Sequence, residues 1–354
     1  MKNNVFSFAL AFIVLSLTLF SCSKTATDST DPVVAANTFP TVPDGRTIFI
    51  HFGTSTQIGC MYSFSNCIWI GWGDALASQN RLDLQFTNPD QVDQYFGDYF
   101  PLTADFTLDA AAAEPMGLKP QVIPAGFYLI EDTPTGKRVS FSPENAEPVA
   151  PLVNAENPQD NIGQLHNLAM QVILSPENRN AIKQMNGDKT AIRQFVLDKT
   201  VQFLSENGIT VSKDEQKQVQ ALNLDRNYAD FAARLDETRL SSHDKDVLRP
   251  IFDEVSRLPV TSANELSVFV ERMTSYENAL AGAQLDDPRM VLSTLSVLKY
   301  SRYYWYWKSV SKGGSGVPEP AQIPEWVWAD AIGLELGGPV ASIAASVLVY
   351  LDTH

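Results

Sequence analysis

Between Ala150 and Asn161 the chain runs through Pro151, Asn154, Asn157 and Pro158 with Glu156 and Asp160 among them, and the hydrophobic pattern differs on its two sides. A strand repeats its faces every second residue and a helix every 3.6, so a change of period at a stretch rich in turn-forming residues marks a boundary. Before it, Arg46 to Phe52 and Cys67 to Trp72 are rich in β-branched and aromatic residues and read as strands. Val122 to Glu131 and Lys137 to Ser142 flank Asp132-Thr-Pro-Thr-Gly136, which predicts a hairpin. A short helix is expected over Asn88 to Phe96, within a small sandwich or barrel.

Behind the boundary the signals are helical. Asp160 or Asn161 is placed to cap a helix carrying Ile162, Leu165, Leu168, Ala169, Val172 and Ile173. Asp188 caps a second helix, with Ile192, Phe195, Val196, Thr200, Phe203 and Leu204 on one face and Asn207-Gly208 as its stop. Ser212 with Glu215, and Ser262 with Glu265, have capping-box spacing, and Pro250 should kink or break a helix that begins near Ser242. Asp287-Pro288 opens a long helix from Arg289 to Lys312, stopped by Gly313-Gly314. The expected class is α+β: a mostly-β domain over 46–150, then an all-α domain of seven or eight helices over 151–354.

Two stretches of the helical part stand out. Tyr300-Ser-Arg-Tyr-Tyr-Trp-Tyr-Trp307 carries more aromatic residues than one helix face holds, so either another element covers it or a stripe is left open to a ligand. Tyr303, Trp305 and Trp307 are the candidates for stacking on a sugar, a lipid interface or a protein partner. Pro324 to Leu351 is apolar, with Gly333, Gly337, Ala341 and Ala345 at the four-residue interval that allows close helix contact. Asp330, Glu335 and Gly337-Gly338-Pro339 interrupt it, which favours a core helix packed on the aromatic one over a membrane-inserting tail.

At the other end, Lys2 precedes an apolar run from Val5 to Phe20, the pattern of a secretory signal, so 1–21 are set aside from fold reasoning. Leu19-Phe20-Ser21-Cys22 resembles the lipobox of bacterial lipoproteins. The resemblance implies cleavage before Cys22 and acylation of its thiol and new amine, a palmitate-type anchor stronger than any single chain. Ser23-Lys24, with no Asp, is similar to outer-membrane sorting, and the Ser/Thr/Asp-rich region after it resembles Bacteroidota surface lipoproteins. Asn157 to Asn167 is also similar to a segment of uncharacterised bacterial surface lipoproteins. Residues 22–45 lack hydrophobic periodicity and read as a flexible tether. With Cys22 assigned to lipid, Cys60 and Cys67 remain, and an oxidising compartment makes them an expected disulfide. A metal site with His51 is the alternative, but the spacing is not that of paired zinc ligands.

About 330 mature residues exceed the length of a usual single core, hence the two-domain expectation. The formal charge is −15, and loss of Lys2 with the signal makes it one unit more negative, which argues against nucleic acid and anionic headgroups as partners. No phosphate-binding glycine loop, nucleophile elbow or paired metal histidines occur, and no cofactor is implied. Of the four histidines, His166 lies beside the apolar stripe of its helix, where a structural role is the plainer reading. Asp160 with His166 is the one acid/base pair worth naming. The preferred reading is a non-enzymatic, lipid-anchored envelope protein that binds a protein partner or glycan. The alternatives are a lipid-anchored hydrolase with carboxylate chemistry and a membrane-active protein using its C-terminal segment.

Overall fold

The computed structural model describes residues 46–49, 59–63, 68–71, 73–78, 81–86, 96–108, 110–113, 118–207, 209, 211–213, 216–217, 220, 231–311 and 325–353. Cys22, His51, Cys67 and Glu215 lie outside them, as do the signal and tether and all but the last residue of the expected helix at 88–96. In chain order the elements are β1 (Arg46–Phe49), β2 (Gly59–Ser63), β3 (Ile68–Gly71), β4 (Gly73–Ser78), β5 (Arg81–Phe86), β6 (Tyr99–Leu102), β7 (Phe106–Leu108), α1 (Ala110–Ala113), β8 (Gln121–Ile123), β9 (Gly126–Thr133), β10 (Gly136–Phe141) and β11 (Ala146–Pro148). Then follow α2 (Asp160–Ile173), α3 (Pro176–Gln184), α4 (Lys189–Glu206), α5 (Phe231–Glu237), α6 (Ser242–Val255), α7 (Ala263–Ala281), α8 (Pro288–Val310) and α9 (Glu325–Thr353). The layout is α+β, strands first and helices after.

β9 and β10 form the expected hairpin, with Gly136 opposite Thr133 and Val139 opposite Ile130. β10 also pairs with β5, and β5 with β4, all antiparallel. β6 lies on the other side of β9, and β11 runs beside the first half of β9. β1, β2 and β3 make a separate antiparallel sheet, and β7 pairs with β8. The backbone of Cys60 sits in β2, and no disulfide-bonded cysteine is present among the described residues.

Phe127 and Tyr128 are neighbours on β9 and therefore point to opposite faces, yet both are buried. Tyr128 packs on Phe141, which in turn meets Phe100, on one face. On the other, Phe127 meets Tyr303 at 5.0 Å and Tyr306 at 5.6 Å between ring centroids. Trp307 donates its indole N–H to the Tyr99 carbonyl of β6 at 3.0 Å. The aromatic run of α8 is thus the seam between sheet and helices, and residues of both share one continuous hydrophobic core. Every residue of α8 from Val291 to Trp307 is buried, which makes it the central helix.

The helix starts follow the capping signals with two departures. Asp188 accepts from the N–H groups of Thr190 and Ala191, Ser262 from Glu265 and Asp287 from Met290, so α4, α7 and α8 begin where their caps stand. The Glu265 carboxylate reaches back to the Thr261 N–H and hydroxyl, one residue earlier than a standard capping box, and these bonds hold its pKa below the usual value. Neither Asp160 nor Asn161 caps α2; Gln159 occupies that place without a side-chain bond. The other departure is that Pro250 does not break its helix: α6 continues to Val255. Pro250 is on the exposed side, where water can satisfy the carbonyl it leaves unpaired, while Leu248, Ile251, Phe252 and Val255 hold the other side in the core.

α9 is not straight. The Ser342 hydroxyl donates to the Asp330 carbonyl at 2.8 Å although twelve residues separate them, a distance of about 18 Å along a regular helix. The element doubles back at Gly337-Gly338-Pro339, where Gly338 has φ of 72°, a conformation that costs glycine little. A Cβ on Gly333 would lie 2.8 Å from the Ala341 carbonyl oxygen, so the small residues serve contact between the two arms of one element. Val327, Trp328, Ile332, Ile343 and Val347 are buried in the core, and among the described residues no helix is long and apolar enough to cross a membrane.

Candidate functional site

A helix buried on all sides has no solvent face for its polar residues, so Lys299, Tyr300, Ser301 and Arg302 of α8 must find partners inside. Their successive directions, about 100° apart, send them to different neighbours. The result is a polar belt around the middle of α8, drawn from α2, α7, α9 and the segment leading into α2.

On one side, Lys299 Nζ lies 2.9 Å from Asp160 Oδ1 and 2.6 Å from Glu277 Oε2. Tyr300 donates its hydroxyl to Asp160 Oδ2 at 2.8 Å, and Gln164 Nε2 donates to the same oxygen at 3.2 Å. Asn154, in the segment between β11 and α2, donates to Glu277 Oε2 and to Asn278 Oδ1, each at 2.9 Å. The approach of α2 to α8 that permits this is set by Gly163. A Cβ there would stand 2.4 Å from the Tyr300 ring and 2.5 Å from Ser296 Oγ. Ser296 Oγ instead accepts from the Gly163 N–H and donates to the Asp160 carbonyl.

Burial dominates the electrostatics of this cluster. It pushes the Glu277 carboxyl above its usual pKa, against the pull of Lys299 in the other direction. It also raises the Tyr300 phenol well above its usual value, with the Asp160 charge adding to the effect, so Tyr300 serves as a neutral donor.

On the other side, Asp330 of α9 receives the Ser301 hydroxyl on Oδ2 in a short hydrogen bond. Its Oδ1 lies 2.9 Å from His166 Nε2, at an angle outside that of a well-aligned N–H···O bond. Asn167 donates to the Tyr300 carbonyl at 2.7 Å and lies against His166 Nδ1 at 3.3 Å. Further along, the fully buried Arg302 guanidinium reaches the Val260 carbonyl at 3.5 Å.

The two acid/base candidates are therefore both in the belt but engaged separately. Asp160 and His166 are six residues apart on α2, about 120° apart around its axis, and are held by Lys299 and Asp330 respectively. Ser301, Asp330 and His166 contain the residue types of a nucleophilic triad in the wrong order. The carboxylate stands between hydroxyl and imidazole, so the imidazole is not in a position to take the serine proton. His166 is 2% exposed and Ser301 and Asp330 0%, leaving a substrate no direct approach. The aromatic candidates Tyr303, Trp305 and Trp307 are likewise 2, 5 and 3% exposed, because the sheet and α9 cover them; none is open for stacking on a ligand. No group of three or more His, Cys, Asp or Glu among the described residues is placed to hold a metal ion.

Lys299, Glu277 and Asn154 were not singled out by sequence reasoning. A usable signal existed for Lys299: it sits among Val291, Leu292, Leu295, Val297, Leu298 and Tyr300, and a charge in a helix that is apolar all round has to be paired. Comparison with known protein families, characterised proteins and solved structures finds no match to this chain.

Proposed function

We propose that the chain is an exported, lipid-anchored protein of the cell envelope, sorted to the outer membrane, whose globular part is a non-enzymatic module for a protein partner or glycan. The observation that carries the anchoring is Leu19-Phe20-Ser21-Cys22 behind the apolar run from Val5 to Phe20. The composition of 22–45 supports a tether, and the acidic charge favours partners other than nucleic acid. The non-enzymatic part draws support from the belt, since its acid, base and hydroxyl groups are engaged with each other inside the helices. With the aromatic run spent on the seam, the binding face belongs to the exposed polar surface. Within this reading Cys60 and Cys67 are joined in the oxidising envelope.

Metabolic labelling with palmitate tests the anchor. Label is expected on the wild type and lost in Cys22→Ala; an unlabelled wild type overturns the reading. Pulldown and a glycan array with the Ser23 to His354 form test the binding role, for which saturable capture of a defined partner is expected. Hydrolytic activity that disappears in Asp160→Asn or His166→Gln while the protein stays folded would replace it with the enzyme alternative.

A further inference from the structure

The Asp160–Lys299–Glu277 cluster has two carboxyl groups and one ammonium, and all three residues are buried. Its hydrogen bonds are unevenly shared. Asp160 accepts from three side-chain donors spread over both oxygens, an arrangement suited to a carboxylate. The donors to Glu277, from Lys299 and Asn154, converge on Oε2, and the buried Oε1 has no partner. A buried oxygen with no donor is a poor place for negative charge, and a cluster with one excess negative charge in the interior is costly. A proton on Glu277 removes the excess charge and leaves a neutral oxygen, far less costly to bury than a charged one, at the unpartnered position.

We propose that Glu277 is a proton-binding site built into the helical core, so that the packing of α2, α7 and α8 tightens as the medium becomes mildly acidic and loosens as it becomes alkaline. The charged and titratable groups that face it are Lys299 and Tyr300 from α8 and Asp160 from α2; the connecting segment contributes only the neutral Asn154. Burial raises the Glu277 pKa in the folded state. A raised folded-state pKa means that the native protein binds more protons than the unfolded chain between the two values. The stabilisation is fully present below the ordinary glutamate range and is lost as pH rises through the higher folded-state value. Within that window the folding equilibrium constant changes by about tenfold per pH unit, the signature of one proton.

Urea denaturation of the full-length protein in detergent, from about pH 4.5 to 8.5, tests this against Glu277→Gln, which mimics the neutral acid. The variant is expected to match the wild type at the acidic end and to exceed it increasingly as pH rises. Profiles that run parallel, or a variant that falls below the wild type at the alkaline end, overturn the proposal. Should the variant fail to fold, carbon-13 carboxyl labelling of glutamate in the wild type provides the second measurement. Glu277 is the sole glutamate buried among the described residues. One carboxyl resonance titrating above the rest is expected, and titration of every glutamate near the ordinary value of about 4.3 overturns it.

Discussion

Two neighbouring regions of α8 are buried equally and held by opposite means. Toward the C-terminal end, Tyr303 and Tyr306 meet the sheet through ring contacts with Phe127, and Trp307 meets Phe96 in the turn ahead of β6. One turn earlier, Lys299, Tyr300 and Ser301 meet three carboxyl groups, each from a different helix. Ring packing is non-directional, and its loss scales with the area and volume removed. The belt is directional, and removing one member strands its partners in a medium that cannot solvate them. The seam therefore joins sheet to helices, and the belt sets which way α2, α7 and α9 meet α8.

The largest expected effect falls on the belt. Lys299→Met keeps most of the side-chain volume but leaves Asp160 and Glu277 without their cation, and should cost about 3–5 kcal/mol in urea denaturation at neutral pH. A cost below about 1 kcal/mol would mean that the belt behaves like the seam. Gly163→Ala forces a Cβ against the Tyr300 ring and Ser296, and an overpacking loss of about 1–3 kcal/mol is expected.

The sharpest comparison uses two tyrosines less than one turn apart. Tyr300→Phe removes the hydroxyl bonded to Asp160 and should cost about 1–3 kcal/mol. Tyr303→Phe removes a buried hydroxyl that has no hydrogen-bond partner, so its stability should stay within about 0.5 kcal/mol of the wild type or rise. Equal losses in the two variants would erase the distinction between belt and seam. Outside both regions a modest loss is expected: Ser262→Ala, read by thermal denaturation, removes the cap of α7 for about 1 kcal/mol.

Local signals were readable wherever the deciding interaction is local. The caps at Asp188, Ser262 and Asp287 and the hairpin around Pro134-Thr135 each depend on residues within a few positions of one another. Asp160 was misread for the complementary reason. It has the type and position of a cap, but its carboxylate is drawn to a lysine 139 residues away. The break offered at Pro250 does not occur because a breaker is tolerated when its side of the helix faces water, and exposure is a property of the packed molecule. The aromatic run could be recognised as needing a cover, whereas the identity of that cover, β6 and β9 on one side and α9 on another, could not.

By itself the sequence determined the order of strands before helices and the capped starts of α4, α7 and α8, and it carries the Leu19-Phe20-Ser21-Cys22 stretch on which the proposed anchor rests. These depend on residue type and short spacing, which the chain carries before it folds. Only the tertiary structure decided that α9 folds back on itself, that the aromatic run is a seam and not a binding stripe, and that Asp160 and His166 belong to an internal belt. Those outcomes rest on which distant groups share a dry interior, where a charge must be paired and an aromatic face must be covered.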